Sequence, residues 1–241
     1  MSEINFRKLT GFFFIIGAIL VYIPYTLLVM NFDYPDILRL PTAEILTRFQ
    51  AGGNSLIYTW LAIAWVGLPL LLGAIMLKRI LERENSPFLE TATTLGVIGF
   101  IVQVIGLLRW VFVVPVLTRL FTDPTTDAVT KTSVSAVFVA VHQYGGVVLG
   151  EHLGQFFTII WMSLISGIIY RSKMFSKWVA WLGWFASAVY LLAQTELLAT
   201  AIPSFPVIDW AGFYGSLLWL LWMLVLGVYL VKYQNTSHRI N

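Results

Sequence analysis

The chain reads as an all-α polytopic integral membrane protein, a bundle of six transmembrane helices with short outer helical segments. Three observations predict this. Of the 241 residues 59% are hydrophobic and only 11% are charged, whereas an ordinary soluble domain carries about a quarter charged residues. Mean hydropathy is +0.82. The apolar stretches are continuous rather than alternating, which indicates helices and not barrel strands. A crossing of roughly 30 Å at about 1.5 Å per residue needs about 20 apolar residues, so six of them use about half of this length. No room remains for a sizeable soluble domain, and residues 1–241 are read as one six-helix transmembrane domain.

The first apolar run, Leu9 to Met30, follows Arg7 and Lys8 and is too long for a signal-peptide core, so it is read as a retained helix. Further spans are expected at about Leu56 to Leu77, Leu95 to Leu117, Gly150 to Tyr170, Val179 to Thr200 and Trp210 to Val231. Pro24, Pro69 and Pro115 lie within or near spans and are candidate kinks.

The distribution of basic residues predicts orientation. With the N-terminus inside, ten fall on the cytoplasmic side: Arg7, Lys8, Lys78, Arg79, Arg83, Arg171, Lys173, Lys177, Lys232 and Arg239. Four fall outside, Arg39, Arg48, Arg119 and Lys131, while Arg109 stays within a span. This bias implies a multi-pass protein of the cell membrane with both termini cytoplasmic. The net charge of +3 therefore belongs to anchoring loops, and a nucleic-acid partner is not expected. Tyr58, Trp60, Trp178, Trp181, Trp210 and Tyr233 sit near predicted span ends, where amphipathic rings favour the headgroup region.

Two longer outer connections stand out. In residues 31–54, Thr42 is placed to N-cap a short helix through Phe49 that lies along the membrane surface; its capping box is incomplete, because Ile45 stands where Glu or Gln is required. Residues 121–149 open with the turn-forming pair Asp123-Pro124 and run as an apolar stretch into the fourth span. A single helix from Ser133 to Tyr170 would be about 57 Å long, so it either projects outward or breaks near Gly145-Gly146.

Ionisable residues inside the spans carry the chemistry. Counted from the cytoplasmic ends, Arg109, Glu151, His152 and Glu196 all fall in the outer third of the membrane, where charge is expensive unless paired or wetted. They form the candidate cluster, joined by Gln155 and His142 as further ligand-binding candidates. Arg109 paired with one carboxylate would instead lock two helices together. On α-helical spacing His152, Gln155, Ser163, Ser166 and Tyr170 share one face of the fourth span, and Gly146, Gly150 and Gly154 the opposite one. The polar face also suits ordinary interhelical hydrogen bonds, while the glycine ladder lets a neighbouring helix approach closely.

Metal and haem sites are not expected. His142 and His152 are ten residues apart, about 15 Å along a continuous helix, and His238 is in the tail. Glu151 and His152 are adjacent and diverge by about 100°, and no HExxH pattern occurs. The absence of cysteine excludes disulfides and thiolate chemistry. Phosphate-loop, dinucleotide and GxSxG motifs are absent, and no cofactor is expected.

The stretch LGQFFTIIWMSLISGIIYRSKMFSKWVAWLGW, residues 153–184, and the opening RKLTGFFFIIGAI, residues 7–19, resemble a family of bacterial six-helix membrane proteins filed under a domain of unknown function. In that family a Gly-containing fourth helix ends at an Arg-Ser turn, here Arg171-Ser172, and the fifth opens with Trp-Leu-Gly, here Trp181-Leu182-Gly183. The resemblance implies six helices and transfers no activity, substrate or catalytic residue.

Three functions compete on these residues. The first, which we favour, is binding or passage of an amphipathic or anionic small molecule or lipid at an outward-opening pocket, with the two outer connections as its lid. The second is a membrane-embedded enzyme using Glu151 and His152 as acid and base. The third is a structural subunit of a homo-oligomer or membrane complex, with the charges locking helices in the lipid bilayer.

Overall fold

The computed structural model describes residues 2–233, so His238 and Arg239 lie outside the described residues. Ten α-helices are described and no strand is found among these residues: α1 Glu3–Phe32, α2 Thr42–Val66, α3 Leu68–Leu81, α4 Leu89–Phe112, α5 Val114–Thr122, α6 Ala128–Val141, α7 Gly154–Arg171, α8 Lys177–Leu192, α9 Gln194–Ala199 and α10 Trp210–Lys232. Several of them run on into one another. Among the described residues six helical stretches are long and apolar enough to cross a membrane: Glu3–Phe32, Thr42–Glu84, Leu89–Thr122, Ala128–Arg171, Lys177–Ala199 and Trp210–Lys232. The chain is thus an all-helical, multi-pass membrane protein with the six expected spans.

Local chemistry accounts for several boundaries. Pro115 occupies the first turn of α5, where its missing N–H costs nothing. Asp127 caps α6 by accepting from the Thr130 amide at 2.9 Å. Asp123 closes the preceding turn by accepting from the Thr125 amide at 2.8 Å and its hydroxyl at 2.6 Å. These bonds to Thr125 and Thr130 favour the ionised carboxyls and hold both below the usual aspartate range.

One local expectation is corrected in the second span. Thr42 does not cap a helix: it is already helical, Pro41 is the cap, and the Pro41 carbonyl accepts from the Glu44 and Ile45 amides at 2.9 and 3.1 Å. The short helix expected from Thr42 through Phe49 is present: the helical residues that begin at Thr42 end at a kink at Gly53, whose φ of 54° and ψ of −151° are non-helical and suit glycine and few other residues, and a second helix follows to Val66.

The fourth span follows the unbroken one of the two readings of its length, a single helical stretch of 44 residues. Helical structure is continuous from Ala128 to Arg171, with no break at Gly145-Gly146. Instead the winding loosens to a π-helix over His142–Leu153, twelve residues long. Glycines 145, 146 and 150 fall in this segment, and glycine is a weak α-helix former, by about 1 kcal/mol relative to alanine. The wider turn alters the angle that α-helical spacing sets between Glu151 and His152.

The chain divides into two compact units. Unit 1 comprises Met1–Ala18, Leu68–Ile98 and Phe156–Asn241, and unit 2 comprises Ile19–Gly67 and Gly99–Gln155. In unit 1, α8 packs along α10, and Gly215 lies so close to Tyr190 that a Cβ would stand 2.7 Å from its Cα. Trp222, fully buried, donates to the Val179 carbonyl at 3.0 Å. Unit 2 is organised around α2, α5 and α6, with Phe32, Phe49, Trp60, Trp110 and Phe138 at its centre.

One member of the expected aromatic belt lies in that centre. Trp60 is completely buried and stacks on Trp110, ring centroids 4.8 Å apart at 10°. Tyr58, Trp178, Trp181 and Trp210 are at least half exposed, as interfacial rings would be. Position near a span end did not decide the difference; the face on which each ring emerges did.

Candidate functional site

Unit 2 gathers five of the six candidate residues, Arg109, His142, Glu151, His152 and Gln155. Glu196 belongs to unit 1, where it is partly buried in the first turn of α9.

Arg109, near the end of α4, is only 8% exposed. Its Nη1 donates to the Gly106 carbonyl one turn back, and its guanidinium carbon lies 5.1 Å from the centre of the Trp110 ring. Its Nε is buried without a hydrogen-bond partner, and no ion pair of Arg109 is found among the described residues. The room for this side chain comes from the π segment. A Cβ on Gly146 would stand 2.5 Å from the Arg109 Nη2, so glycine is what permits the guanidinium to lie against that backbone.

The glycine ladder meets a single helix, as its spacing implied. Gly146 faces Arg109, Gly150 faces Gly106 and Gly154 faces Gln103, all three on α4. At the middle rung a Cβ on Gly106 would be 2.5 Å from the Gly150 Cα. The close backbone contact thus fixes where Arg109 sits relative to Glu151, the next residue in the π segment.

Glu151 does not pair with Arg109. Its Oε2 accepts from Arg39 Nη2 at 2.5 Å, while its buried Oε1 has no hydrogen-bond partner. Arg39 closes a short 3-10 turn, Asp36–Arg39, in the connection between α1 and α2. By sequence it is only one of the four basic residues expected outside. A carboxylate predicted inside a span requires a partner, and each basic residue of the connecting loops is a candidate; nothing local to the sequence distinguishes Arg39 from Arg48, which instead pairs with Asp33 and with Glu44.

The same turn reaches His142. The His142 Nε2 is 3.0 Å from the Leu38 carbonyl, which requires the proton on that nitrogen, and the buried Nδ1 has no partner. The imidazole stacks on Phe138, centroids 5.3 Å apart at 22°, and meets Trp110 edge-on at 5.9 Å. Tyr34 packs over Trp60 at 5.4 Å, again edge-on. Burial pushes the Tyr34 phenol upward, and the charges of Glu151 and Tyr25 act in the same direction; Arg109 and Arg39 oppose them. The phenol therefore stays protonated and within the field of Arg109, Arg39 and Glu151.

His152 and Gln155 are partly buried at the end of the π segment and the start of α7, and both make polar or ring contacts. Among the described residues no group of three His, Asp or Glu side chains is close enough to hold a metal ion. A separate pocket of about 440 Å³ in unit 2 is lined by Asn31, Phe32, Asp33, Arg48, Ser55 and Thr59, among others. Its wall residue Phe32 packs edge-on against Trp110 at 5.5 Å.

The arrangement offers one buried guanidinium with an unused N–H, one carboxylate oxygen and one imidazole nitrogen, above a floor of stacked aromatic rings. Such a set can bind an anionic group beside an apolar one.

A family model described as "Domain of unknown function (DUF4386)" matches residues 9–227. No curated protein and no solved structure matches the chain.

Proposed function

The chain belongs to the DUF4386 family, and we propose that it binds or passes an amphipathic or anionic small molecule or lipid at an outward-opening polar pocket around Arg109, Glu151 and His142. His152 and Gln155 extend the pocket along the fourth span, and the outer connections cover it. The observation that carries this reading is the set of buried, unpartnered polar atoms, Arg109 Nε, Glu151 Oε1 and His142 Nδ1, within one compact unit. A buried polar atom without a partner is costly, and a native structure retains few of them without a use. Further support comes from the π-helix that holds Glu151 and seats Arg109, since π segments inside α-helices frequently mark functional sites.

Mass spectrometry of lipid and small-molecule extracts tests the reading. Wild-type protein is expected to carry a ligand that Glu151→Gln, purified as a folded protein, has lost. Identical extracts from both, together with an unchanged fold, would favour the structural-subunit reading instead.

The pocket faces outward if the chain sits in the cell membrane with both termini cytoplasmic, as the ten-to-four basic bias supports. Because the chain has no cysteine, single-cysteine labelling is clean. A cysteine at Ser55 is expected to react with an impermeant maleimide in intact cells, and one at Ser86 only after permeabilisation. The reverse pattern would turn the pocket to the cytoplasm.

A further inference from the structure

Unit 1 contains a second site of different chemistry, where α1 begins and α3 finishes. A cleft of about 310 Å³ is lined by Arg7, Arg79 and Arg83 against a single acid, Glu3. Phe6, Ile80 and Met174 supply its apolar surface. All seven residues belong to unit 1.

The three arginines differ in how far their charge is already used. Arg7 is 8% exposed, and it donates to the carbonyls of Leu230 at 3.2 Å and Tyr233 at 2.6 Å, closing the end of α10. It is a fixed positive wall rather than a free arm. Arg79 lies over the Phe6 ring at 5.1 Å, a contact that orients the guanidinium and leaves its N–H groups available. Arg83 has only a long contact of 3.6 Å to its neighbour Glu84, whose carboxylate also accepts from Ser172 at 2.7 Å. Arg79 and Arg83 are both exposed.

Position decides between ligands. Glu3, Phe6 and Arg7 form the first turns of one candidate span, and Arg79 and Arg83 stand at the end of another. A cleft at the ends of spans lies at headgroup depth, and its mixture of guanidinium and apolar surface matches a phosphate ester joined to acyl chains. We propose that this cleft binds the phosphate group of an anionic phospholipid, with Arg79 and Arg83 as the exchangeable ligands and Arg7 as the preset wall. This does not depend on the pocket around Arg109, which belongs to unit 2.

The full-length protein in neutral detergent provides the test, with phosphatidylglycerol as the probe, phosphatidylcholine as the uncharged counterpart and inorganic phosphate as the soluble source of the same chemistry. Binding is read as a thermal shift and as lipid adducts in native mass spectrometry. Phosphatidylglycerol is expected to raise the melting temperature, and the other two are not. At about fivefold in affinity per arginine, the double variant Arg79→Gln/Arg83→Gln should bind roughly thirtyfold more weakly. Because both side chains are exposed, that variant is expected to fold, as circular dichroism will verify. The double variant Arg171→Gln/Lys173→Gln removes two exposed charges outside the cleft lining and should retain wild-type binding. Equal weakening in both double variants would reduce the effect to general surface charge and overturn the site. An equal shift with inorganic phosphate would overturn the lipid assignment, and an equal shift with phosphatidylcholine would overturn the role of the arginines.

Discussion

Gly106→Val is expected to destabilise the protein by about 1–3 kcal/mol or more, the range typical of forcing extra atoms into a packed interior. A Cβ at position 106 would stand 2.5 Å from the Gly150 Cα, 2.9 Å from the Gly145 oxygen and 3.0 Å from the Gly150 nitrogen. All three are backbone atoms. No rotamer change relieves the overlap, so α4 and the π segment must move apart. Gly150→Ala should cost less, because its Cβ would meet the Gly106 Cα at 3.1 Å. Gly167→Ala is the control, with only an ordinary contact at 3.9 Å to Trp184; it should be neutral or slightly stabilising through helix propensity. Thermal denaturation in detergent orders the three. A Gly106→Val variant as stable as the wild type would show that these two backbones are not in contact. Since the same contact seats Arg109 against Gly146, loss of co-purifying ligand is expected to accompany the loss of stability.

Arg109→Met separates a binding site from a helix lock more sharply than any other substitution. If Arg109 held two helices together through an ion pair, removing it would strand a buried carboxylate and cost about 3–5 kcal/mol. In the structure Glu151 is already paired with Arg39 at 2.5 Å, and the described partner of Arg109 is the carbonyl of Gly106 in its own helix. Replacing a buried, unpaired charge with an apolar side chain of similar length relieves desolvation, so the melting temperature of ligand-free protein should stay level or rise. Ligand retention should fall at the same time. A large drop in stability would overturn the proposed role, as would full retention of the ligand. Arg39→Gln is the complementary case: it removes the partner of Glu151 and is expected to lower stability, because a partly buried carboxylate loses its counter-charge.

Much of the architecture was legible in the sequence because hydropathy is summed locally. A run of about 20 apolar residues must be helical in lipid whatever surrounds it, and all six runs proved so. The same logic singled out Arg109 and Glu151, since charge within such a run is conspicuous. The ladder of Gly146, Gly150 and Gly154 announced a close helix neighbour through its spacing alone. What could not be read was which residue stands opposite which. Glu151 found its partner 112 residues away, in Arg39, and Gly150 found its counterpart in Gly106. Trp60 turned inward to stack on Trp110 although it sits near a span end. The π winding over His142–Leu153 changed the bearings of Glu151 and His152. The amino-acid sequence by itself determined six membrane-crossing helices and the rare polar groups within them. Only the tertiary structure decided their pairing and winding, because in an apolar solvent helix partners are selected by close packing and polar contacts between distant segments, and those carry no local periodic signal.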